Sequence, residues 1–242
     1  MRVTPAGLNA ATARLFIAGA GCFVLGSVPG YADLVGQPAD DVTFFVGSIL
    51  FTTASLDQLL QAQTTSMHEA DADSQHQPQP VRWLAWLPHD RNWWAAVTQF
   101  PGTLLFNVST AAALVHNLSV SEQNRHVWRP DLYGSTLFLV ASLFGILAVS
   151  HQSVRALMRS IPGGIAWLNL TGSVLFMAAA LASYVLPSGD EVDEVVAVAG
   201  TLLGALCFLV GAALMFPAWR RGLEGSTEPT SLPSLRHTHR TP

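Results

Sequence analysis

Asp57 is the only acidic residue well inside an apolar stretch of this sequence, and Arg14 precedes the neighbouring apolar stretch. Because a charged group is costly in a hydrocarbon core, an ionisable residue there is a candidate functional residue. Asp57 could couple transport to a proton or a cation. It could instead reach the membrane interface or pair with Arg14 across a helical hairpin.

Two asparagines, Asn107 and Asn169, lie in other apolar stretches with serine and threonine residues close by. Such polar stripes favour hydrogen bonds between membrane helices. The alternative is that they line a path for a solute.

Other chemistry has little support in the residue pattern. Ser109 and His116 are seven residues apart on one helix, roughly 10 Å, which is too far for proton transfer. His116 and His151 are expected at opposite membrane faces, so they do not suit a haem. The net charge of −4 argues against nucleic-acid binding. We therefore predict that the protein is not an enzyme, with no metal and no cofactor.

Half of the 242 residues are hydrophobic and 12% are charged, against about 25% in soluble domains. The apolar residues form runs of about 20 residues, the length that spans a bilayer. The sequence therefore predicts an all-α polytopic membrane protein with six transmembrane helices. The predicted spans are Leu15–Leu34, Val42–Ala62, Val97–Asn117, Leu132–Ser150, Ile165–Leu186 and Val195–Pro217.

The first span could also be a cleaved signal peptide, because Arg2 and Arg14 precede it and Gly30-Tyr31-Ala32 resembles a cleavage site. We favour a retained helix, since this span shares a motif with the others. The motif is a glycine four residues before a phenylalanine, and in the sixth span a glycine replaces the phenylalanine. Its glycines are Gly19, Gly47, Gly102, Gly134, Gly172 and Gly200.

The spacing of these glycines pairs the spans into three tandem helical hairpins. Small residues let membrane helices approach closely, so the glycines are predicted to form helix contacts. The segments Phe45-Val-Gly-Ser-Ile-Leu-Phe51 and Leu132-Tyr-Gly-Ser-Thr-Leu-Phe-Leu-Val140 resemble helices of the YrhK-like family of small bacterial membrane proteins. That resemblance implies a class of membrane protein, without an activity or a site.

The hairpins divide the chain into seven predicted segments. They are a first transmembrane hairpin (1–63), a disordered cytoplasmic linker (64–80), an interfacial Trp-rich segment (81–96), a second transmembrane hairpin (97–150), a cytoplasmic loop (151–163), a third transmembrane hairpin (164–219) and a disordered cytoplasmic tail (220–242).

The arginines predict the orientation of the chain in the membrane. Ten of the twelve basic residues precede the first span, follow the sixth or lie between hairpins, and only Arg125 and Arg129 lie on the opposite side. By the positive-inside rule, both termini are cytoplasmic and the protein is a multi-pass protein of the cell membrane.

The leading functional hypothesis is a non-enzymatic scaffold or assembly partner that binds the lipid bilayer and a membrane-protein partner or a second copy. The rival hypothesis is a small-solute transporter or channel with a path between the hairpins. A transporter requires a water-accessible cavity that Asp57, Asn107 or Asn169 faces, whereas a scaffold requires a closed core of glycine and phenylalanine.

Overall fold

The computed structural model describes residues 2–3, 5–65, 79–80, 85–150 and 159–227, with side chains described for 8–63, 85–150 and 159–218. Most of the predicted linker and cytoplasmic loop, the segment 81–84 and the tail beyond residue 227 lie outside these ranges. The described residues are almost entirely helical. The exception is a pair of two-residue antiparallel strands, β1 (Arg2–Val3) and β2 (Gln79–Pro80).

Six long helices follow one another along the described residues, with short helices between some of them. The long helices are α1 (Pro5–Gly26), α3 (Gln37–Thr65), α4 (Arg91–Ala113), α6 (Arg129–Val149), α7 (Ile161–Ala182) and α8 (Glu194–Thr227). The short helices are α2 (Tyr31–Val35) and α5 (Val120–Glu122), and a π-helical turn, Gln123–Trp128, joins α5 to α6.

Side-chain caps explain where several helices begin. Asp90 accepts hydrogen bonds from the backbone N–H groups of Asn92 and Trp93, so α4 starts before the apolar run predicted at Val97. Ser160 caps α7 in the same way through the N–H of Gly163.

The first span differs from its prediction. The helix covers Pro5–Gly26 and not Leu15–Leu34, because Pro29 and the left-handed Gly30 (φ 87°) end it and turn the chain into α2. Arg14, which precedes the predicted span, therefore lies inside α1.

The end of the last helix is also a correction. The disordered tail was predicted from residue 220, yet α8 continues to Thr227. The segment after Trp219 contains arginine, leucine and glutamate, which are good helix formers, and no proline before Pro229. A helix that is already nucleated extends through such residues at little cost.

Five of the long helices are long and apolar enough to cross a membrane, which by length and composition is compatible with an integral membrane protein. They are Leu8–Gly26, Gln37–Gln63, Val120–Val149 with its short N-terminal turns, Ile161–Ala182 and Glu194–Ala218. Helix α4 is not among them, because Asn92, Gln99 and Asn107 lower its hydropathy.

The long helices pack as a closed ring in chain order. Helix α1 packs against α3, α3 against α4, α4 against α6, α6 against α7, α7 against α8, and α8 returns to α1. The buried core lies inside this ring and consists largely of phenylalanine and alanine. The first helix contributes Ala13, Phe16, Ala20 and Phe23 to it.

Candidate functional site

A cluster of six phenylalanines fills the centre of the ring. Each long helix supplies one, and each is at least 90% buried. Edge-to-face and tilted aromatic contacts of this kind add specific geometry to apolar burial. The six are Phe23, Phe51, Phe106, Phe138, Phe176 and Phe208.

Three of these rings form a closed triangle. The centroid of Phe51 lies 6.4 Å from that of Phe138 and 6.2 Å from that of Phe208, and Phe138 and Phe208 are 5.9 Å apart. On the other three helices, Phe176 contacts both Phe23 and Phe106, at 6.0 and 6.1 Å. The centre of the bundle is therefore closed by aromatic side chains.

Each of these phenylalanines follows a buried glycine by four residues, and the glycines meet in pairs between neighbouring helices. A Cβ atom on Gly19 would lie 3.0 Å from the carbonyl oxygen of Gly47. One on Gly134 would lie 3.1 Å from the oxygen of Gly102. The predicted glycines thus lie where two backbones approach closely.

The sixth helix corrects the predicted motif. Gly172 meets Gly204, with 3.0 Å between its Cβ position and the oxygen of Gly204. Gly204 is followed four residues later by Phe208, so it carries the motif that was assigned to Gly200. Gly200 is also tightly packed, 3.0 Å from the Cβ of Ala179, but one turn away. The sequence Gly204-Ala-Leu-Cys-Phe208 contained this signal.

A cavity of about 540 Å³ lies on one side of the phenylalanine triangle. Phe51, Phe138 and Phe208 form its floor, and all six long helices contribute to its wall. The N-terminal halves of α1, α4 and α7 line it together with the C-terminal halves of α3, α6 and α8. Its volume is within the range of small-molecule sites.

The polar side chains of the cavity wall are uncharged amides and one hydroxyl. No Asp, Glu, Arg, Lys or His is among the described residues that line it. The polar wall consists of Asn9, Gln58, Gln61, Asn92, Gln99, Ser142 and Asn169.

Some of these groups are held by hydrogen bonds between helices. Gln99 donates from Nε2 to Oε1 of Gln58 at 3.2 Å, which links α4 to α3. Gln61 donates to the hydroxyl of Thr12 at 2.9 Å, which links α3 to α1. Ser142 contacts the hydroxyl of Ser173 at 2.7 Å, which links α6 to α7.

The two predicted asparagines differ in their surroundings. Asn169 lines the cavity, and its side chain makes no hydrogen bond to the described residues. Asn107 does not line the cavity, and its Oδ1 atom is buried without a hydrogen-bond partner among those residues. Asn169 is therefore the predicted site residue that the cavity exposes to a solute.

Hydroxyl groups close to these two asparagines form hydrogen bonds between helices, of the kind that the sequence predicts. Thr110 pairs with the hydroxyl of Ser48 at 2.9 Å, and Ser109 donates to the backbone oxygen of Val127 at 2.8 Å. Ser173 donates to the backbone oxygen of Phe138 at 3.2 Å.

Asp57 and Arg14 are not brought together. Arg14 is exposed on α1 and Asp57 is half-buried on α3, and the two make no ion pair. Neither residue lines the cavity. Of the alternatives for Asp57, the pair with Arg14 is thus not formed in this structure.

The opposite end of the bundle is held by polar contacts. The amide of Asn124 exchanges two hydrogen bonds with the backbone of Val185, at 2.7 and 3.0 Å. Trp128 donates from its indole N–H to the oxygen of Ala180 at 2.7 Å. His116 lies 3.5 Å from a carboxylate oxygen of Asp41. These contacts tie the loops together on the far side of the phenylalanine cluster.

Three tryptophans cluster at the start of α4, with Trp86 before the helix and Trp93 and Trp94 in its first turn. Trp93 and Trp94 have centroids 5.0 Å apart, and Trp86 lies 5.3 Å from Trp93. Trp93 is buried, whereas Trp86 is 74% exposed. This half-exposed aromatic arrangement is typical of a membrane interface.

Within the described residues, no group of three His, Cys, Asp or Glu side chains has the geometry of a metal site. Among the described residues, the cavity wall offers amides, one hydroxyl and apolar surface.

Comparison of the chain with protein-family models, curated proteins and solved structures finds no match.

Sequence reasoning missed most of the cavity wall. Gln58, Gln61 and Gln99 were not predicted as wall residues, because they carry no ionisable group. The available signal was the placement of neutral amides within or beside apolar runs, where each must find a hydrogen-bond partner.

Proposed function

We propose that the chain is a six-helix bundle of three tandem transmembrane hairpins, with α4 as the sixth spanning helix and both termini in the cytoplasm. The paired glycines of α1 and α3, of α4 and α6, and of α7 and α8 support this grouping. The position of α4 in the ring explains its polarity, because Asn92 and Gln99 line the cavity. The resemblance to the YrhK-like family belongs to the same proposal.

The function that we propose is a non-enzymatic channel or carrier for a small solute, in its closed conformation. The observation that carries this proposal is the cavity between the six long helices, which ends on Phe51, Phe138 and Phe208. Asn169 faces it, as the transporter hypothesis requires.

The closed state follows from the chemistry of the floor. Three phenylalanine rings leave no hydrogen-bonding partner for water, and an apolar constriction of this kind gates a pore by dewetting. Small rotations of these side chains, or of the helices that carry them, would join the cavity to the opposite end.

The test is solute release from proteoliposomes that contain the purified protein. Phe138→Ala removes one ring of the triangle and should raise the permeability of the vesicles to small neutral solutes at least several-fold. Because Phe→Ala in a core costs about 3–5 kcal/mol, Phe138→Leu provides a milder second variant. Leu143→Ala, on the exposed surface of the same helix, is the matched control and should leave permeability unchanged.

The second candidate is the scaffold or assembly partner, alone or with a second copy in the bilayer. The phenylalanine cluster favours it, because it closes the core as a scaffold requires. Folded Phe138→Ala and Phe138→Leu proteins that release no more solute than the Leu143→Ala control would support the scaffold and contradict the channel.

A further inference from the structure

We infer that the cavity binds a planar, uncharged solute that carries a carboxamide or urea group. This inference rests on the proposed function, because it assigns the solute class of the same site. It follows from three features of the wall: its lack of charge, the donor and acceptor atoms that its amides leave unused, and the position of one aromatic ring.

The lack of charge excludes ions as the preferred solute. Moving an ion into a site of low dielectric constant without an opposite charge carries a large desolvation penalty. The described residues of the wall offer amides, a hydroxyl and apolar groups, with no formal charge to offset that penalty. A neutral molecule avoids it.

The amide groups offer both donors and acceptors. Gln58 and Gln99 use one atom each in the bond between them, which leaves Nε2 of Gln58 as a donor and Oε1 of Gln99 as an acceptor. The side chain of Asn169 makes no hydrogen bond to the described residues and presents both atoms. A solute amide matches such a group with two parallel hydrogen bonds, since it also has one donor and one acceptor side by side.

Two of the wall amides and one aromatic ring occupy the same position relative to the motif glycine of their helix. Phe16, Gln99 and Asn169 each precede the motif glycine of their helix by three residues. All three line the cavity, on α1, α4 and α7, and each is seven residues before the phenylalanine that its own helix supplies to the cluster. Amides on two of these helices and an aromatic ring on the third suit a flat polar molecule.

Three isosteric probes test the solute class directly. Benzamide is neutral, benzoate carries a negative charge and benzamidine a positive one, on the same ring. We expect isothermal titration calorimetry of the wild-type protein in nanodiscs to detect benzamide binding at least tenfold tighter than that of either ion. Equal binding of the three probes, or preference for an ion, would overturn the inference without any variant.

Substitutions in the cavity wall test whether benzamide binds there. Asn169→Leu keeps the size of the side chain and removes its hydrogen bonds, so benzamide affinity should fall by roughly 3- to 10-fold. Gln99→Leu should act in the same direction and serves if Asn169→Leu does not fold. Asn107→Leu is the matched control, because Asn107 lies outside the cavity lining, and it should not change the affinity. Benzamide binding that neither wall substitution weakens would contradict the inference.

The outcomes separate this inference from the proposed function. Benzamide binding that depends on Asn169, with no solute release from any Phe138 variant, would support the site and contradict the channel. Release from the Phe138 variants without selective benzamide binding would support the channel and overturn the solute class.

Discussion

Glu191 lies in the turn between α7 and α8, where Val185 and Glu191 form an isolated β-bridge. The surrounding protein removes part of the water from its carboxylate, and this burial raises the pKa of Glu191; the nearby negative charge of Glu194 raises it further. A carboxyl group with a raised pKa in the folded state destabilises the fold when it is ionised. Lowering the pH through the folded pKa protonates the group and restores the stability.

The direction of this pKa shift predicts how removing the carboxylate changes the stability. Glu191→Gln should raise the melting temperature at pH 8, by at most about 2 °C because the group is partly exposed and screened. The advantage should disappear below about pH 4, where the carboxyl is protonated in both states. Thermal unfolding in detergent at pH 8 and pH 4 measures it, with Asp190→Asn as the control for loss of one charge in the same turn. An equal gain at both pH values would show that the pKa shift does not matter.

Single residues also show what the sequence can and cannot predict about the site. Asn169 was identified, because an amide in an apolar run is conspicuous. Asp57 and Arg14 were identified for the same reason, yet they lie apart and outside the cavity lining. The side of a helix that faces the axis depends on how the helices rotate against one another. A hydropathy average contains no information about that rotation. It therefore does not distinguish Asn169, which lines the cavity, from Asn107, which does not.

At the scale of the helices, the glycine contacts decide how closely each pair approaches. The sequence identified five of the six motif glycines and misplaced the sixth by one turn, because Gly200 and Gly204 share a face of α8. Helix ends were predicted less well than helix positions. Caps such as Asp90 and breaks such as Pro29-Gly30 are local events that a window of about 20 residues does not resolve.

Gly19 and Gly21, two residues apart on α1, provide a matched test of close helix packing. A Cβ on Gly19 would lie 3.0 Å from the oxygen of Gly47 and 3.0 Å from Phe51, whereas one on Gly21 meets nothing within 4 Å. Gly19→Val should therefore push α1 away from α3, at a cost of roughly 1–3 kcal/mol. Gly21→Val carries the same change in helix propensity without the clash.

The measurement is thermal unfolding of both variants in the same detergent. We expect the melting temperature of Gly19→Val to be lower by roughly 2–10 °C than that of Gly21→Val. Equal melting temperatures would mean that α1 does not pack on α3 through this glycine. They would also weaken the case that the first span is retained as part of the bundle.

At the scale of the whole molecule, the closed ring places the last helix beside the first. A ring of six helices in chain order is consistent with an even number of membrane crossings, whereas hydropathy alone selects five spanning helices. The difference is α4, where Asn92 and Gln99 lower the hydropathy but line the cavity. Composition cannot make that distinction, because it depends on which neighbours surround the helix.

Reporter insertions distinguish five crossings from six. A reporter that is active only outside the cytoplasm can be inserted at Gly36 or Ser188, in turns between helices, or fused after Pro242. With six crossings and cytoplasmic termini, the reporters at Gly36 and Ser188 should be active and the one after Pro242 silent. The distribution of arginine, with ten of twelve on the side of the termini, supports this orientation. If α4 does not cross, the orientation of every later segment is reversed. The reporter at Gly36 then stays active, the one at Ser188 becomes silent and the C-terminal fusion becomes active. That pattern would contradict the three-hairpin arrangement, and with it a cavity whose wall needs α4 at membrane depth.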